Sequence, residues 1–484
     1  MTERADGHDL LIRGGRIVTP GGVVEGDVAV RGERIAAIGT GLGPAAEEID
    51  ARARLVTPGG VDPHAHIEQL SGMGRMNADS FETASRAALM GGTTSVICFA
   101  AQQKGQRLAD AVDDYAAGAR RGAVIDHAFH LRVSDPAAPA FQADLAALVA
   151  AGHRSIKVFT TYAIRLDDRA ILEVMAAARE AGALICIHAE TDGMIGWTRD
   201  RLVGAGLTRP EHHALSHPRL SEIEAIERVC RFAEYLDQPV MVFHVSTAEG
   251  AAAIRAARGR GAPVWGETCP HYLFMTAEVL ARDGIEGAKW MCSPPQRTGA
   301  DQEALWRALA LGDLALVSSD HAPYRFDETG KLAEGEDAPF PAIANGLPGL
   351  ETRLPLLFDA MVSRGRLGPK AFAELTAAAL ARVYGLERKG RIAPGMDADL
   401  VIWDPGRRLT YGEDDLHDNV GYNPWAGRTV TGWPERVLLR GRLAVEGGRL
   451  LAEPGAGRWL PRAAIGTPRS GRPAPEAATL LGPA

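Results

Sequence analysis

The sequence has few cysteines and lacks a cysteine pair with metal-binding spacing. Its five cysteines are scattered over 484 residues, and none belongs to a CxxC motif. An odd number of widely spaced cysteines argues against a disulfide framework, and the missing CxxC argues against a thiolate zinc site. We therefore expect a protein of a reducing compartment, the cytoplasm.

Long apolar runs and an excess of one charge are also missing. No stretch approaches the roughly 20 apolar residues of a membrane span, and the start, MTERADGHDLLIRGG, has acidic residues and too short an apolar run for a signal peptide. The net charge is only −8, with both signs interspersed. These features predict no binding to nucleic acid or to a membrane, so a small molecule is the expected partner.

The sequence pattern changes twice along the chain. The first fifty residues indicate short β-strands with glycine turns, as do RIAPGMDADLVIWDP and RVLLRGRLAVEGGRL further on. Between them, short apolar runs alternate with Ala-rich helical stretches. We predict that residues 1–58 and 389–452 form one small β-sandwich domain and that residues 59–388 form a barrel. Residues 453–484, rich in Pro, Gly and Arg, are predicted to be an extended or oligomer-contacting tail.

The central region contains eight candidate strands. They are GVDPHAH, TSVICFA, HAFHLRV, SIKVF, ALICIHA, VMVFHVS, PVWGETC and LALVSSD. Eight strands that alternate with helices predict the α/β fold class, specifically a (β/α)8 barrel of the TIM type. One intervening helix is expected to begin with a capping box formed by Ser221 and Glu224.

Polar residues end several of these strands, where a parallel barrel has its active site. His64 and His66 are two residues apart, so an extended strand places both on one face. His188, His244 and Asp320 follow apolar runs in three other strands. Four imidazoles and a carboxylate at one rim suit a divalent metal ion, with zinc as first choice and manganese, iron, nickel or cobalt as alternatives.

Lys157 lies between Ile156 and Val158 in the predicted fourth strand. Burial there should lower the pKa of its amine, and a neutral amine can capture carbon dioxide. The resulting carbamate could bridge two cations, whose charge would offset the cost of burying it. We therefore predict two divalent metal ions and a Lys157 that is carboxylated on its side-chain nitrogen.

Together these motifs resemble the dihydropyrimidinase and hydantoinase branch of the amidohydrolase superfamily. The matching segments, in the family's order, are GVDPHAH, SIKVFTTY, HAE, FHVS, ETCPHYL, CSPPQR, SSDHAP, NGLPGLETRLPLLF, GMDADLVIWDP and YNPWAG. They span nearly the whole chain. The resemblance implies hydrolysis of the cyclic amide bond of a hydantoin or dihydropyrimidine to an N-carbamoyl amino acid, in a homo-oligomer that is a tetramer or dimer.

The resemblance also implies a role for each metal-site residue. His64 and His66 would bind the first ion, His188 and His244 would bind the second, and carboxylated Lys157 would bridge them. These positions agree with the ligands predicted from the strand ends.

Four further roles follow from the resemblance. Asp320 would be both a metal ligand and the proton shuttle, and Tyr162 would help to polarise the carbonyl that is attacked. The backbones of Ser293 and Asn345 would hydrogen-bond the cyclic ureide. The roles of Tyr162, Ser293 and Asn345 rest on the resemblance alone, because a Tyr, a Ser or an Asn in a loop does not by itself indicate a binding site.

The chain departs from the family pattern after the first two strands, in IEQLSGMGRMNADSF and FAAQQKG, and has Thr191 where the family often has Asn. These loops shape the pocket for the ring substituent, so Leu70, Met73 and Met76 either line that pocket or pack the loop. Two alternatives stay open. One is another cyclic amidohydrolase, such as an allantoinase, a dihydroorotase or a cyclic imide hydrolase. The other is a non-catalytic scaffold, against which the complete ligand set argues.

Overall fold

The protein is represented by a computed structural model, which describes residues 7–464. The strands of the described residues form one sheet of nine strands and one of eight. Their bounds are β1 His8–Thr19, β2 Gly22–Arg31, β3 Arg34–Gly39, β4 Ala45–Asp50, β5 Leu55–Pro58, β6 Gly60–Ala65, β7 Thr93–Ala101, β8 Asp126–Arg132, β9 Ser155–Phe159, β10 Leu184–His188, β11 Val240–Val242, β12 Val264–Thr268, β13 Leu316–Val317, β14 Leu400–Thr410, β15 Thr429–Leu439, β16 Arg442–Glu446 and β17 Arg449–Leu450.

Helices alternate with the strands of the eight-stranded sheet. The α-helices are α1 Phe81–Met90, α2 Leu108–Gly122, α3 Phe141–Ala151, α4 Asp168–Ala181, α5 Asp192–Gly204, α6 His212–Ser216, α7 Arg219–Leu236, α8 Ala248–Gly259, α9 Pro270–Phe274, α10 Gly299–Leu311, α11 Arg353–Phe358, α12 Gly368–Ala373 and α13 Ala379–Val383. Short 3-10 helices span Ala277–Leu280, Glu286–Trp290 and Phe340–Ala342, and π-helical turns span Asp359–Ser363 and Glu374–Ala378. Within residues 7–464, no helix has the length and apolar content needed to cross a membrane.

The eight-stranded sheet is a parallel barrel. Strands β6 to β13 pair in sequence order, each parallel to the next. A parallel bridge between Ala65 and His321 joins β6 to the chain just beyond β13 and completes the ring. Each of the eight predicted segments overlaps one of these strands, so the predicted (β/α)8 barrel is confirmed.

The nine-stranded sheet combines both ends of the described chain. Strand β14 pairs antiparallel with β5, with Leu400 opposite Pro58, so the N-terminal and C-terminal strands share one ladder. This sheet has its own core, in which Leu10, Ile17 and Leu438 are buried. The predicted β-sandwich domain built from both chain ends is therefore confirmed.

The described part of the tail runs along the end of the barrel where the strands begin. Leu460 donates a backbone hydrogen bond of 2.8 Å to His127, near the start of β8. The buried Arg462 side chain donates to Ser155 Oγ at 2.6 Å and to the Phe129 carbonyl at 2.7 Å. Residues 453–464 are thus extended chain on their own barrel, and residues 465–484 lie outside the described residues.

The predicted capping box of Ser221 and Glu224 is wrong. Helix α7 begins at Arg219, after Pro218, whose fixed φ suits the start of a helix. Ser221 therefore lies inside the first turn and donates its Oγ hydrogen bond to the Pro218 carbonyl. The Glu224 carboxylate contacts Thr191 and Arg228 instead of the start of its own helix.

Candidate active site

A cavity of about 210 Å³ opens at the carboxyl ends of the barrel strands. Its lining contains every site residue predicted from the sequence. These are His64, His66, Lys157, Tyr162, His188, His244, Ser293, Asp320 and Asn345. The strand ends thus bring together residues that are far apart in the sequence, as a parallel barrel requires.

His64, His66 and Asp320 form the tightest cluster. Their side-chain ligand atoms all lie within 4.8 Å of one another. Asp320 Oδ1 is 3.0 Å from His64 Nε2 and 3.5 Å from His66 Nε2. His64 lies in β6, His66 directly follows this strand, and Asp320 follows β13, the barrel neighbour of β6. Two imidazoles and a carboxylate at this spacing suit one divalent cation.

The Nδ1 atoms of His64 and His66 are each held by an oxygen atom. Glu267 Oε1 contacts His64 Nδ1, and both residues are buried. Gln69 Oε1 lies 2.7 Å from His66 Nδ1. Metal-binding histidines characteristically use their second nitrogen in this way, which fixes the ring and leaves the first nitrogen for the ion.

His188 and His244 form the second half of the site, with ring centroids 4.4 Å apart. Glu190 Oε2 is 2.8 Å from His188 Nε2, while Glu190 Oε1 is 2.8 Å from His217 Nδ1. The Nδ1 atom of His244 is buried and has no hydrogen-bond partner among the described residues. A buried imidazole nitrogen without a partner needs an explanation, and a metal ion supplies one.

Sequence reasoning missed Gln69, Glu190 and Glu267. Glu190 follows two residues after His188 in the HAE segment, and Glu267 lies near the end of β12. The available signal was an acidic residue at the end of a buried strand, where a carboxylate requires a buried partner. That signal does not identify which histidine the carboxylate holds.

Lys157 lies in β9 and is 1% exposed. Its Nζ has no hydrogen-bond partner among the described residues and lies 3.9 Å from the ring centroid of Phe243 and 4.7 Å from that of Phe159. Burial lowers the pKa of Lys157 to about 7. The amine is therefore neutral for part of the time near neutral pH, which is the form that reacts with carbon dioxide.

The carboxylates of the site favour a positive charge at its centre. Burial by itself would lower the pKa of His64, but Asp320 and Glu267 outweigh burial and raise this pKa to about 9. Burial would raise the pKa of Asp320, but the neighbouring histidines, His64 first, hold it well below its ordinary value. The same carboxylates would attract a metal cation.

Three residues of the site have a left-handed backbone conformation. Tyr162, His244 and Asp320 have φ angles of 72°, 40° and 48°, and they are three of eight non-glycine residues with positive φ within residues 7–464. Strained backbone of this kind is concentrated at functional sites. This conformation also prevents β11 and β13 from extending through His244 and Asp320.

The loops that carry Ser293 and Asn345 are joined at the cavity wall. Asn345 Nδ2 donates to Ser293 Oγ at 3.2 Å, and the Gly346 amide donates to the Met291 carbonyl at 2.8 Å. The Tyr162 ring lines the same cavity and packs against His188, with centroids 5.1 Å apart. These three residues therefore border the space beside the four histidines.

The outer wall contains part of the loop that departs from the family pattern. Met73 lines the cavity. Leu70 and Met76 pair with each other through a backbone bridge outside the lining, and they are 39% and 55% exposed. Of the three apolar residues considered for the substituent pocket, Met73 is the one in position to contact a ligand.

Comparison with known proteins agrees with this geometry. Residues 55–444 match the model of the amidohydrolase family. The chain is 40% identical to a D-hydantoinase of Streptomyces coelicolor and 38% identical to one of Ralstonia pickettii; each match covers 94% of this chain, and 98% and 99% of the relatives. The crystal structure of dihydropyrimidinase from Brevibacillus agri is 37% identical and superposes with a TM-score of 0.91 over 95% of this chain and 99% of that one. The chain therefore belongs to the amidohydrolase family, in the branch of the hydantoinases and dihydropyrimidinases.

Proposed function

We propose that this protein is a metal-dependent hydrolase that opens the ring of a hydantoin or dihydropyrimidine at an amide bond and releases an N-carbamoyl amino acid. One observation carries the proposal: five barrel strands deliver four histidines, one lysine and one aspartate to a single cavity. The relatives named D-hydantoinase, which match nearly the full length of this chain, support the substrate class.

We infer two divalent cations in this site, with zinc as first choice. His64 and His66 would hold one ion, and His188 and His244 would hold the other. Lys157, carboxylated on Nζ, would contribute an oxygen to each ion, with Asp320 as a further ligand. The fit rests on the donor set and on two buried atoms without partners among the described residues, Lys157 Nζ and His244 Nδ1.

Each residue of the site would have its own role in the hydrolysis. Bound cations would polarise the ring carbonyl and lower the pKa of the attacking water. Asp320 would accept the proton of that water and deliver it to the departing ring nitrogen. Tyr162 would donate a hydrogen bond to the carbonyl oxygen, because burial raises its pKa well above the ordinary value and the hydroxyl keeps its proton. Backbone groups of Ser293 and Asn345 would hold the ureide edge of the ring.

We further propose a cytoplasmic homo-oligomer, a tetramer or dimer. All five cysteines are buried and free of disulfides, which suits a reducing compartment. Trp197, Leu215 and Leu220, on the consecutive helices α5 to α7, are 60%, 58% and 64% exposed. Large apolar side chains exposed on neighbouring elements are typical of a surface that contacts another chain.

The test is a substrate panel with defined metals. The purified chain is stripped with a chelator, reloaded with zinc, manganese or cobalt, and incubated with hydantoin, dihydrouracil, allantoin, dihydroorotate or succinimide. We expect N-carbamoyl products from hydantoin or dihydrouracil, detected by mass spectrometry, and two metal ions per chain. Turnover of allantoin alone, or of none of these compounds with any metal, would contradict the proposal.

A further inference from the structure

Arg132 is a buried cation in the wall of the active-site cavity. It is the last residue of β8, is 2% exposed, and lines the same cavity as Lys157 and Asp320. Its Nη2 donates to the Gln102 carbonyl at 3.1 Å, and its Nε is buried with no hydrogen-bond partner in the described part of the chain. Within residues 7–464, its guanidinium forms no ion pair. Burying a charge without an opposite charge costs free energy, so a bound anion beside Arg132 would be stabilising.

Side chains alternate between the two faces of β8, and this alternation directs the Arg132 side chain into the barrel. Two residues earlier, His130 Nε2 lies 2.7 Å from the Pro63 carbonyl of β6, so this face of β8 points to the interior. In the sheet register, Arg132 is directly opposite Lys157 on β9. The side chain therefore begins at the level of the proposed metal site.

The described cavity lining contains no carboxylate that pairs with Arg132. Asp320 is the one carboxylate in the described lining, and it contacts His64 rather than Arg132. Tyr324 also lines the cavity, near enough to Arg132 and Asp320 for the charges of both to affect its pKa. Burial lowers the pKa of Arg132 to about 10, which leaves it charged at neutral pH. The apolar side chain of Met73 lies in the same wall.

We propose that Arg132 binds a carboxylate on the exocyclic substituent of the substrate, and that the preferred substrate is a cyclic ureide with an acidic side chain. The planar guanidinium matches a carboxylate in shape and in donor spacing. This inference rests on the proposed function, because it names the class of substituent that the same site selects. A purely structural role, in which Arg132 only anchors Gln102, is the alternative.

The experiment compares two substrates of matched size. One is a hydantoin with a carboxyethyl group on its substituted ring carbon, and the other has the corresponding carbamoylethyl group. They differ in charge and hardly at all in shape. The metal-loaded enzyme is expected to show a higher kcat/KM for the acid, mainly through a lower KM.

Variants then assign this preference to one residue. In Arg132→Met, the ratio of kcat/KM for acid over amide is expected to fall by about 30-fold or more, the factor typical of losing one partner of a buried charge pair. Arg132→Lys should keep part of the preference. Arg107→Met is the matched control, because Arg107 lies nearby in sequence but pairs with Asp144 at 2.6 Å outside the cavity; it should keep the wild-type ratio.

The outcomes separate this inference from the proposed function. Equal turnover of acid and amide by the wild type, or an equal loss of both in Arg132→Met, would overturn the role of Arg132 and leave the hydrolase intact. If no ring is opened, calorimetry still decides the inference. Tighter binding of the acid than the amide, lost in Arg132→Met, would support it, and equal binding would refute it.

Discussion

Glu267 on β12 contacts Nδ1 of His64 on β6, across the intervening strand β13, and neither residue is more than 1% exposed. The carboxylate fixes the imidazole with Nε2 toward Asp320. A residue outside the predicted ligand set thus orients one of the ligands. Its contribution can be measured separately from that of the ligands.

We expect Glu267→Gln to weaken metal binding by about 10- to 100-fold, the range found for groups that hold a metal-binding histidine. The amide keeps the shape but loses the charge that makes His64 a stronger ligand. Metal retention is measured by titration with a competing chelator. The exposed Glu278→Gln is the control, and identical metal affinity in both variants would count against this role.

Lys157→Ala should lose both bound metal and activity, because no other described side chain can replace a carbamate at the centre of the site. Metal content is measured by elemental analysis. Native mass spectrometry of the wild type should show a mass increase equal to one carbon dioxide, absent in the variant. The matched control is Lys331→Met, since Lys331 is equally buried but donates to the Ala344 carbonyl and does not line the cavity. A Lys157→Ala protein with full metal content would refute the bridge.

Acid should destabilise the fold through His153. Burial, together with the charge of Arg462, lowers the pKa of His153 from 6.5 to about 4. Between pH 6.5 and pH 4 this histidine is protonated in the unfolded chain but neutral in the folded chain. The free energy of unfolding therefore falls as the pH falls. For one such group the loss from pH 7.5 to pH 5 is about 2 kcal/mol. The urea midpoint of His153→Phe should therefore fall less over this range than that of the wild type, and parallel curves would contradict the assignment.

Arg462→Met should destabilise the barrel by about 2 to 4 kcal/mol, because its charged hydrogen bonds to Ser155 and the Phe129 carbonyl are buried. Thermal unfolding measures the loss. Arg458→Met is the control: Arg458 is 57% exposed and pairs with Glu33 at 2.6 Å, so its removal should cost less than about 1 kcal/mol. Equal decreases in the unfolding temperature of the two variants would show that the buried hydrogen bonds of Arg462 stabilise the fold no more than the exposed ion pair of Arg458.

The barrel and its site could be predicted from the sequence because both follow from local patterns. Each strand is a short apolar run between helices, and parallel strands must end at a common rim. His64, His188 and Asp320 each stand where such a run ends, so their convergence required no knowledge of side-chain contacts. Lys157 was recognisable because an ionisable residue interrupts an apolar strand.

The remaining features depend on contacts between distant parts of the chain. Which histidine Glu267 holds is decided by the spacing of strands around the barrel, and the missing partner of Arg132 is visible only once its neighbours are placed. The start of α7 has a local cause instead. The helix begins at Arg219, directly after Pro218, so Ser221 lies inside the first turn and cannot cap it.

The pairing of β5 with β14 means that one edge of β5 stays unpaired during most of the synthesis of the chain. The ribosome releases β5 early, yet the strand that completes its ladder emerges only after the whole barrel has been made. Until then one edge of β5 is open to unwanted pairing with other chains. The growing chain therefore cannot pair β5 with β14 until the barrel has been synthesised, and a chain that stops between Val383 and Leu400 would have all its barrel strands but an unprotected edge on β5.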